Sequence, residues 1–388
     1  MNRRLTFTLV TGLVLLNVAH SHAQFSPGGP DQPDTPIDAR TKTAVVESLI
    51  VQVQRHYVFP EKANELAKSL RRRLAAKEYD RITGSKEFAD SLLAHMQAVT
   101  HDLHMRVNYR YEPLPLQPNG GPPPPQERAN ALREDRRRNF GFEKVQRLMG
   151  NVGYLDLRSF SDWSEAQPTA IAAMNFLANT DAVIIDLRRN GGGSPAMIQT
   201  LLTYFVEEGD RLHINDFYER EGGRTVQFHT ASYVPGPRLN GKPLYVLTSS
   251  RTGSAAEEFA YDVQTHKLGT LMGATTAGAA NPGGMFRLSE HLAAFIATGR
   301  AINPVTKTNW EGVGVKPDVD LPPADALREA HVAALKKLME SAKDDGSRGS
   351  LARALELAAQ TASDPAEDFM RSTRPAVLQR KPNRDPGR

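Results

Sequence analysis

Two stretches of this chain spell the same local plan, and that repetition limits the folds open to it. Ala182-Val-Ile-Ile-Asp-Leu187 is a short apolar run that breaks at Arg188-Arg189-Asn190-Gly191-Gly192-Gly193 and resumes as a helical pattern from Pro195 to about Val206. Leu244 to Leu247 is a second apolar run, followed by a turn at Gly253-Ser254 and apolar residues at Ala256, Phe259, Ala260 and Val263, the spacing of one helical face. Strand, small-residue turn, helix, repeated, argues for an α/β core with helices packed on a sheet. Val152 to Phe160 reads as another strand and Ala166 to Ala178 as another helix, so the alternation runs from Gly150 onward.

Ser254 thereby falls at a helix N-terminus. A serine there is suited to nucleophilic attack, with the oxyanion received by backbone N–H groups and the positive end of the helix dipole. The same residues, Ser254-Ala-Ala-Glu257, also spell a capping box, and the local pattern leaves both readings open. The Gly191-Gly192-Gly193 turn is likewise a tight strand-to-helix turn, a phosphate cradle or a row of unobstructed oxyanion donors. The phosphate reading lacks the Gly-Lys-Ser/Thr that would follow it.

A general base has to come from elsewhere. His266 is near Ser254 in sequence, but twelve helical residues put it about 18 Å along the axis. His104 lies in His101-Asp102-Leu103-His104-Met105, where the spacing changes to period two. Met105, Val107, Tyr109 and Tyr111 take one face of a strand, and His104 the other. Upstream, Val45, Leu49, Val53 and Tyr57 predict a helix that stops at Phe59-Pro60. Leu66, Leu70 and Leu74 predict a second over Ala63 to Ala76, and Phe88, Leu92, Leu93 and Met96 a third over Lys86 to Ala98. Glu311 is a lone carboxylate in the turn-rich loop from Asn303 to Asp318. A helix from Ala324 to about Ala342 closes the core, and Leu351 to Ala359 is helical in pattern.

The chain ends frame this body. Arg3 and Arg4, an apolar segment from Leu5 to Ala19 and Ser21-His22-Ala23 read as an export leader cleaved after Ala23. There is no cysteine in 388 residues, which excludes disulfides, thiol nucleophiles and cysteine metal sites. The net charge is +4, but the Arg371–Arg388 tail holds six basic residues against Asp385, so the body has no basic footprint for nucleic acid. That Pro- and Arg-rich tail reads as disordered. No metal-ligand spacing and no nucleotide fingerprint is present, and neither cofactor nor metal is expected.

Taken together, Ile185-Asp-Leu-Arg-Arg-Asn-Gly-Gly-Gly193, Leu247-Thr-Ser-Ser-Arg-Thr-Gly-Ser-Ala-Ala-Glu-Glu-Phe-Ala-Tyr261 and Asn309-Trp-Glu-Gly-Val-Gly-Val-Lys-Pro-Asp318 resemble the tail-specific, or C-terminal processing, serine peptidases. The chain is most similar to their branch related to the interphotoreceptor retinoid-binding protein. Tyr57-Val-Phe-Pro-Glu61 and Asp102-Leu-His104 resemble that branch's N-terminal domain. The resemblance implies an α/β, crotonase-like peptidase core with a small N-terminal helical domain. Covering roughly residues 40 to 335, and joined to the residue patterns above, it gives the division 1–23 leader, 38–111 helical domain, 112–149 Pro-rich linker and charged segment, 150–342 peptidase core, and 343–388 C-terminal helix and basic tail. It also implies roles: Ser254 as nucleophile, His104 as base, Glu311 as the acid that orients it, and the N–H groups of Ala255 and Gly192 as oxyanion donors. Ala279 stands where processing proteases carry a lysine base, which excludes a Ser–Lys dyad, and Leu103 stands where the tricorn-type branch has a serine. The expectation is an exported, periplasmic or secreted serine peptidase acting on polypeptides, with no stable membrane insertion after leader cleavage. The second reading is a non-catalytic carrier of a retinoid or fatty acid on the same fold. The oligomeric state is not legible in the sequence.

Overall fold

The structure, a computed structural model, describes residues 32–115, 124–365 and 369. The leader at 1–23 and the basic tail at 371–388 lie outside the described residues. Three helices come first: α1 (Ala39–His56), α2 (Pro60–Ala75) and α3 (Ser85–Thr100). The apolar positions read from the sequence are the ones buried, Val45, Leu49 and Val53 on α1, Leu66 and Leu70 on α2, and Phe88, Leu92 and Met96 on α3. Pro60 both ends one helix and begins the next. It is the first helical residue of α2, where its missing N–H costs nothing.

The helices do not close their own core. Strand β1 (Arg106–Tyr109) follows them, and helix α4 (Pro125–Arg137) then carries five of the six consecutive charged residues Arg133-Glu-Asp-Arg-Arg-Arg138, with no buried residue. The next elements are β2 (Phe142–Leu148), β3 (Val152–Leu157), α5 (Trp163–Leu177), β4 (Ala182–Asp186), α6 (Pro195–Thr203), β5 (His213–Glu219), β6 (Arg224–His229), β7 (Leu244–Thr248), α7 (Ala255–Thr265) and β8 (Thr270–Gly273). They are followed by β9 (Gly283–Arg287), β10 (Leu292–Ala297), β11 (Gly299–Ile302), β12 (Val319–Asp320), α8 (Ala326–Glu340) and α9 (Asp345–Ala359).

Six strands form the main sheet in the order β12-β8-β7-β4-β3-β2, parallel except for the antiparallel edge pair β2–β3. The strand residues alternate between two helical layers. Leu155, Val183, Ile185, Val246 and Leu271 pack with α5, α6 and α7, while Tyr154, Ile184, Tyr245 and Leu247 pack with α8 and α9. Burial on both faces explains why β4 and β7 read as unbroken apolar runs. Strand β2 corrects the sequence reading, which began this layer at 150 and assigned 112–149 to a linker. Most of β2 is only partly buried at the sheet edge, so it carries no apolar run to announce it.

Two small sheets complete the molecule, β1-β10-β9 and β11-β5-β6. Phe286, Leu292, Ala294 and Ile296 of the first pack under α1–α3 and finish the core that the helices start. Strand β1 pairs antiparallel with β10, Arg106 opposite Phe295 and Tyr109 opposite Leu292. The main sheet sets the positions of the loops that follow β4 and β7, and the β1–β10 pair brings the segment before β1 toward them. Among the described residues no helix is long and apolar enough to cross a membrane.

Candidate active site

The loops after β4 and β7 leave neighbouring strands on the same side of the sheet and are stitched together. Thr252 Oγ1 donates to Leu187 O at 2.8 Å, Ser249 Oγ to Arg188 O at 2.6 Å, and Gly253 N–H to Asn190 O at 3.0 Å. This lacing delivers Ser254 to the start of α7 with φ 54° and ψ −122°, a conformation that costs a non-glycine residue about 1–3 kcal/mol. Its N–H donates to Glu257 Oε2 at 2.8 Å, so the Glu257 half of the capping reading is formed in the structure. Glu257 does more than cap. Fully buried, it also accepts from Thr276 Oγ1 at 2.5 Å, Gly278 N–H at 2.6 Å and Ala279 N–H at 2.9 Å. Burial pushes its carboxyl up, and these donors oppose that push.

Gly192 lies against the serine. A Cβ added to it would meet Ser254 Cβ at 2.8 Å and Ala255 N at 3.0 Å, and its φ of +112° belongs to glycine. Its N–H, assigned from the sequence to an oxyanion, instead donates to Asn190 Oδ1 at 2.9 Å. The reason is local: an asparagine side chain turns back on the amide two residues ahead, an Asx turn. Asn190 is itself buried and pinned through Nδ2 to Leu157 O at 2.9 Å. Ala255 N–H is among the four donors that a first helical turn leaves without intrahelical partners. His266 is the C-cap of α7, at the far end of the helix from Ser254.

The histidine side is built from distant pieces. His104 sits in the turn before β1 rather than in the strand itself. Its imidazole lies 5.9 Å from the Phe295 ring on β10. The ligand-type atoms of Asp102, His104 and Glu311 fall within 4.8 Å of one another. Glu311 Oε1 accepts Leu103 N–H at 3.1 Å, and Oε2 accepts Ala280 N–H at 2.6 Å and Asn281 N–H at 3.0 Å. Burial pushes its carboxyl up to about 7, with the nearby Asp102 charge adding to the effect. This trio has the composition of a metal site, and its carboxylates accept the Leu103, His104 and Ala280 N–H groups.

One short loop joins the two sides. Ala279 N–H is held by Glu257, which also holds Ser254, and the next amide, Ala280 N–H, is held by Glu311, which also holds Leu103. Trp310, buried beside it, donates from Nε1 to Ala279 O at 3.1 Å. Sequence reasoning missed the second role of Glu257, the side chain of Asn281 and the carboxylate of Asp102. Asp102 had a local signal in Asp-x-His, where an aspartate can accept the amide two residues on. The bridging role of Glu257 had none, since its partners lie in another loop.

Against proteins of known family, residues 151–321 match the model described as peptidase family S41, and residues 39–136 match the N-terminal domain of peptidase S41 in eukaryotic IRBP. The chain is 29% identical over 179 residues to the chloroplastic carboxyl-terminal-processing peptidase 2 of Arabidopsis thaliana, covering 44% of this chain and 32% of that protein. It is 26% identical over 178 residues to the carboxy-terminal-processing protease of Bartonella bacilliformis, covering 45% and 39%. The matches thus span between about a third and two fifths of the length of these curated relatives. A solved structure, a putative peptidase from Parabacteroides merdae, aligns over 78% of this chain and 99% of its own with a TM-score of 0.54 at 18% identity, which is a likeness of fold.

Proposed function

The chain belongs to peptidase family S41, and on that premise we propose that it is an exported serine peptidase that hydrolyses polypeptides through an acyl-enzyme on Ser254. The observation that carries the reading is the shared loop: consecutive amides, Ala279 and Ala280, are held by the glutamate that fixes Ser254 and the glutamate that fixes the turn bearing His104. In this mechanism His104 takes the proton of Ser254 Oγ as the hydroxyl attacks the scissile carbonyl, and later returns it to the leaving amine. Glu311 holds the backbone that presents His104 and stabilises the imidazolium. The Ala255 N–H receives the oxyanion, and the Gly192 N–H joins it once released from Asn190. The positive φ of Ser254 supports the nucleophile reading, because a serine serving only as a cap has no need of it.

The test is labelling of the full mature chain with a fluorophosphonate probe, in wild type, Ser254→Ala and His104→Ala. Labelling in the wild type and its loss in both variants is the expected result, with the histidine variant down by on the order of a thousandfold or more. Wild-type protein that stays unlabelled beside a reactive control hydrolase would overturn the reading, and binding of a retinoid or fatty acid would then decide for the carrier. N-terminal sequencing of the exported protein tests the leader, with Gln24 the expected first residue.

A further inference from the structure

Two carboxylates close on His104, and the mechanism above uses one. The other, Asp102, is buried and spends its oxygens on three elements. Oδ1 accepts the His104 N–H at 3.0 Å, and Oδ2 accepts Asn281 Nδ2 at 3.1 Å and the Tyr57 hydroxyl at 3.4 Å. Its own N–H donates to Thr100 Oγ1 at 3.3 Å, which anchors it to the last residue of α3. Asp102 and Glu311 thus cross-link the same two segments in opposite senses. Glu311 holds Leu103 through its amide and Asn281 through its amide, while Asp102 holds His104 through its amide and Asn281 through its side chain.

We propose that Asp102 is a positioning residue of the peptidase site: it fixes the turn that presents His104 and, with Glu311, supplies the negative charge that keeps the imidazole basic. The inference rests on the serine peptidase reading. Besides His104 itself, the groups that face the Asp102 carboxyl are the Met105 amide at the entry to β1, the Tyr57 hydroxyl just beyond α1, Asn281 from the bridging loop and Glu311 from the 303–318 loop. Strand β10 faces the imidazole with the apolar Phe295, and Arg106 lies over that same ring at 5.5 Å. Burial raises the Asp102 carboxyl, and the charges of Asp102 and Glu311 oppose each other's ionisation. Such a pair gives up its protons in two steps, one carboxyl ionising well before the other. Replacing Asp102 by asparagine keeps the shape and an acceptor for the His104 amide but removes the charge.

The experiment is a proton NMR titration of the His104 ring in the full mature protein, assigned by its loss in His104→Gln, for wild type, Asp102→Asn and Tyr57→Phe. The pH dependence of fluorophosphonate labelling is followed in parallel. Asp102→Asn is expected to lower the His104 pKa by about one pH unit or more and to move the acid limb of labelling down with it. Tyr57→Phe, which removes one donor that favours the charged carboxylate, should shift both in the same direction by less. A folded Asp102→Asn protein whose His104 titrates as in wild type overturns the proposal. So does an unshifted Tyr57→Phe protein if Asp102→Asn does not fold. Should the wild type fail to label while the His104 titration still responds to Asp102→Asn, the peptidase reading fails and the hold of Asp102 on His104 stands.

Discussion

The two sides of this site are built by opposite strategies. The Ser254 side is local: Ser254 and Gly192 each stand a few residues past a parallel strand, and neighbouring strands deliver them together. The His104 side is assembled across the chain. Leu103 and the Glu311 carboxylate that holds it are 208 residues apart, and the strand after His104 pairs with one that belongs to the other end of the sequence. A strand-loop-helix unit can place a residue by backbone geometry alone, whereas a side chain contributed by a second layer needs explicit ties. Glu257 and Glu311 are those ties, and each takes backbone amides from loops it does not belong to.

The sharpest way to break this contrast is to cut one tie. Glu311→Gln replaces an acceptor-only group facing three amides with one that also donates, and removes the charge beside His104. Labelling should fall by about a thousandfold, toward the His104→Ala level, while the melting of the main sheet is retained. Gly192→Ala attacks the local side. Its methyl would sit 2.8 Å from Ser254 Cβ, and probe labelling should drop by about 10²- to 10³-fold with the Asp102–His104–Glu311 group undisturbed, as checked by the His104 titration. Glu257→Ala strikes the junction and should cost about 3–5 kcal/mol in a denaturant titration, because it strands buried donors on two loops at once.

A pH series separates the sides more gently. Glu258, buried on α7 behind the nucleophile, has its carboxyl pushed up to about 7, chiefly by burial. A folded-state pKa above the unfolded value means stability that is full below about pH 4.5 and is lost as pH rises through about 7. Melting temperatures of the wild type should therefore fall across that window, and Glu258→Gln should flatten the fall. The part that persists in Glu258→Gln and disappears in Glu311→Gln belongs to the His104 side, since Glu311 is raised to about 7 as well. The smallest effect is expected at the outer seam. The Arg220 guanidinium, at the end of β5, donates to Tyr57 O and Gln54 O at the end of α1. Arg220→Ala should cost about 1–2 kcal/mol, visible as faster amide exchange in α1 and not in α7.

The same contrast explains what could be read in advance. The helical faces of α1–α3, the buried runs of β4 and β7 and the turn at Ser254 are local patterns, and they were legible. Strand β2 was not, because an edge strand with one face open shows little apolar signal, and neither were β5 and β6, which lie where the sequence offered no strong alternation. At the site, Ser254, His104 and Glu311 came from a resemblance of motifs. The capture of the Gly192 amide by Asn190 was a short-range Asx turn hidden inside a motif already assigned to another purpose. The linking role of Glu257 was beyond reach, because three of its donors lie on residues 276, 278 and 279.

The pairing of β1 with β10 has a consequence for how the molecule comes into being. Synthesis proceeds from the N-terminus, so α1–α3 and β1 emerge with the apolar underside of their core uncovered until Phe286, Leu292 and Ile296 arrive. Until then the turn bearing His104 has neither its strand partner nor Glu311 to hold it. The proposed site is thus incomplete by the order of its own manufacture, and comes together only once the chain has been made through Glu311.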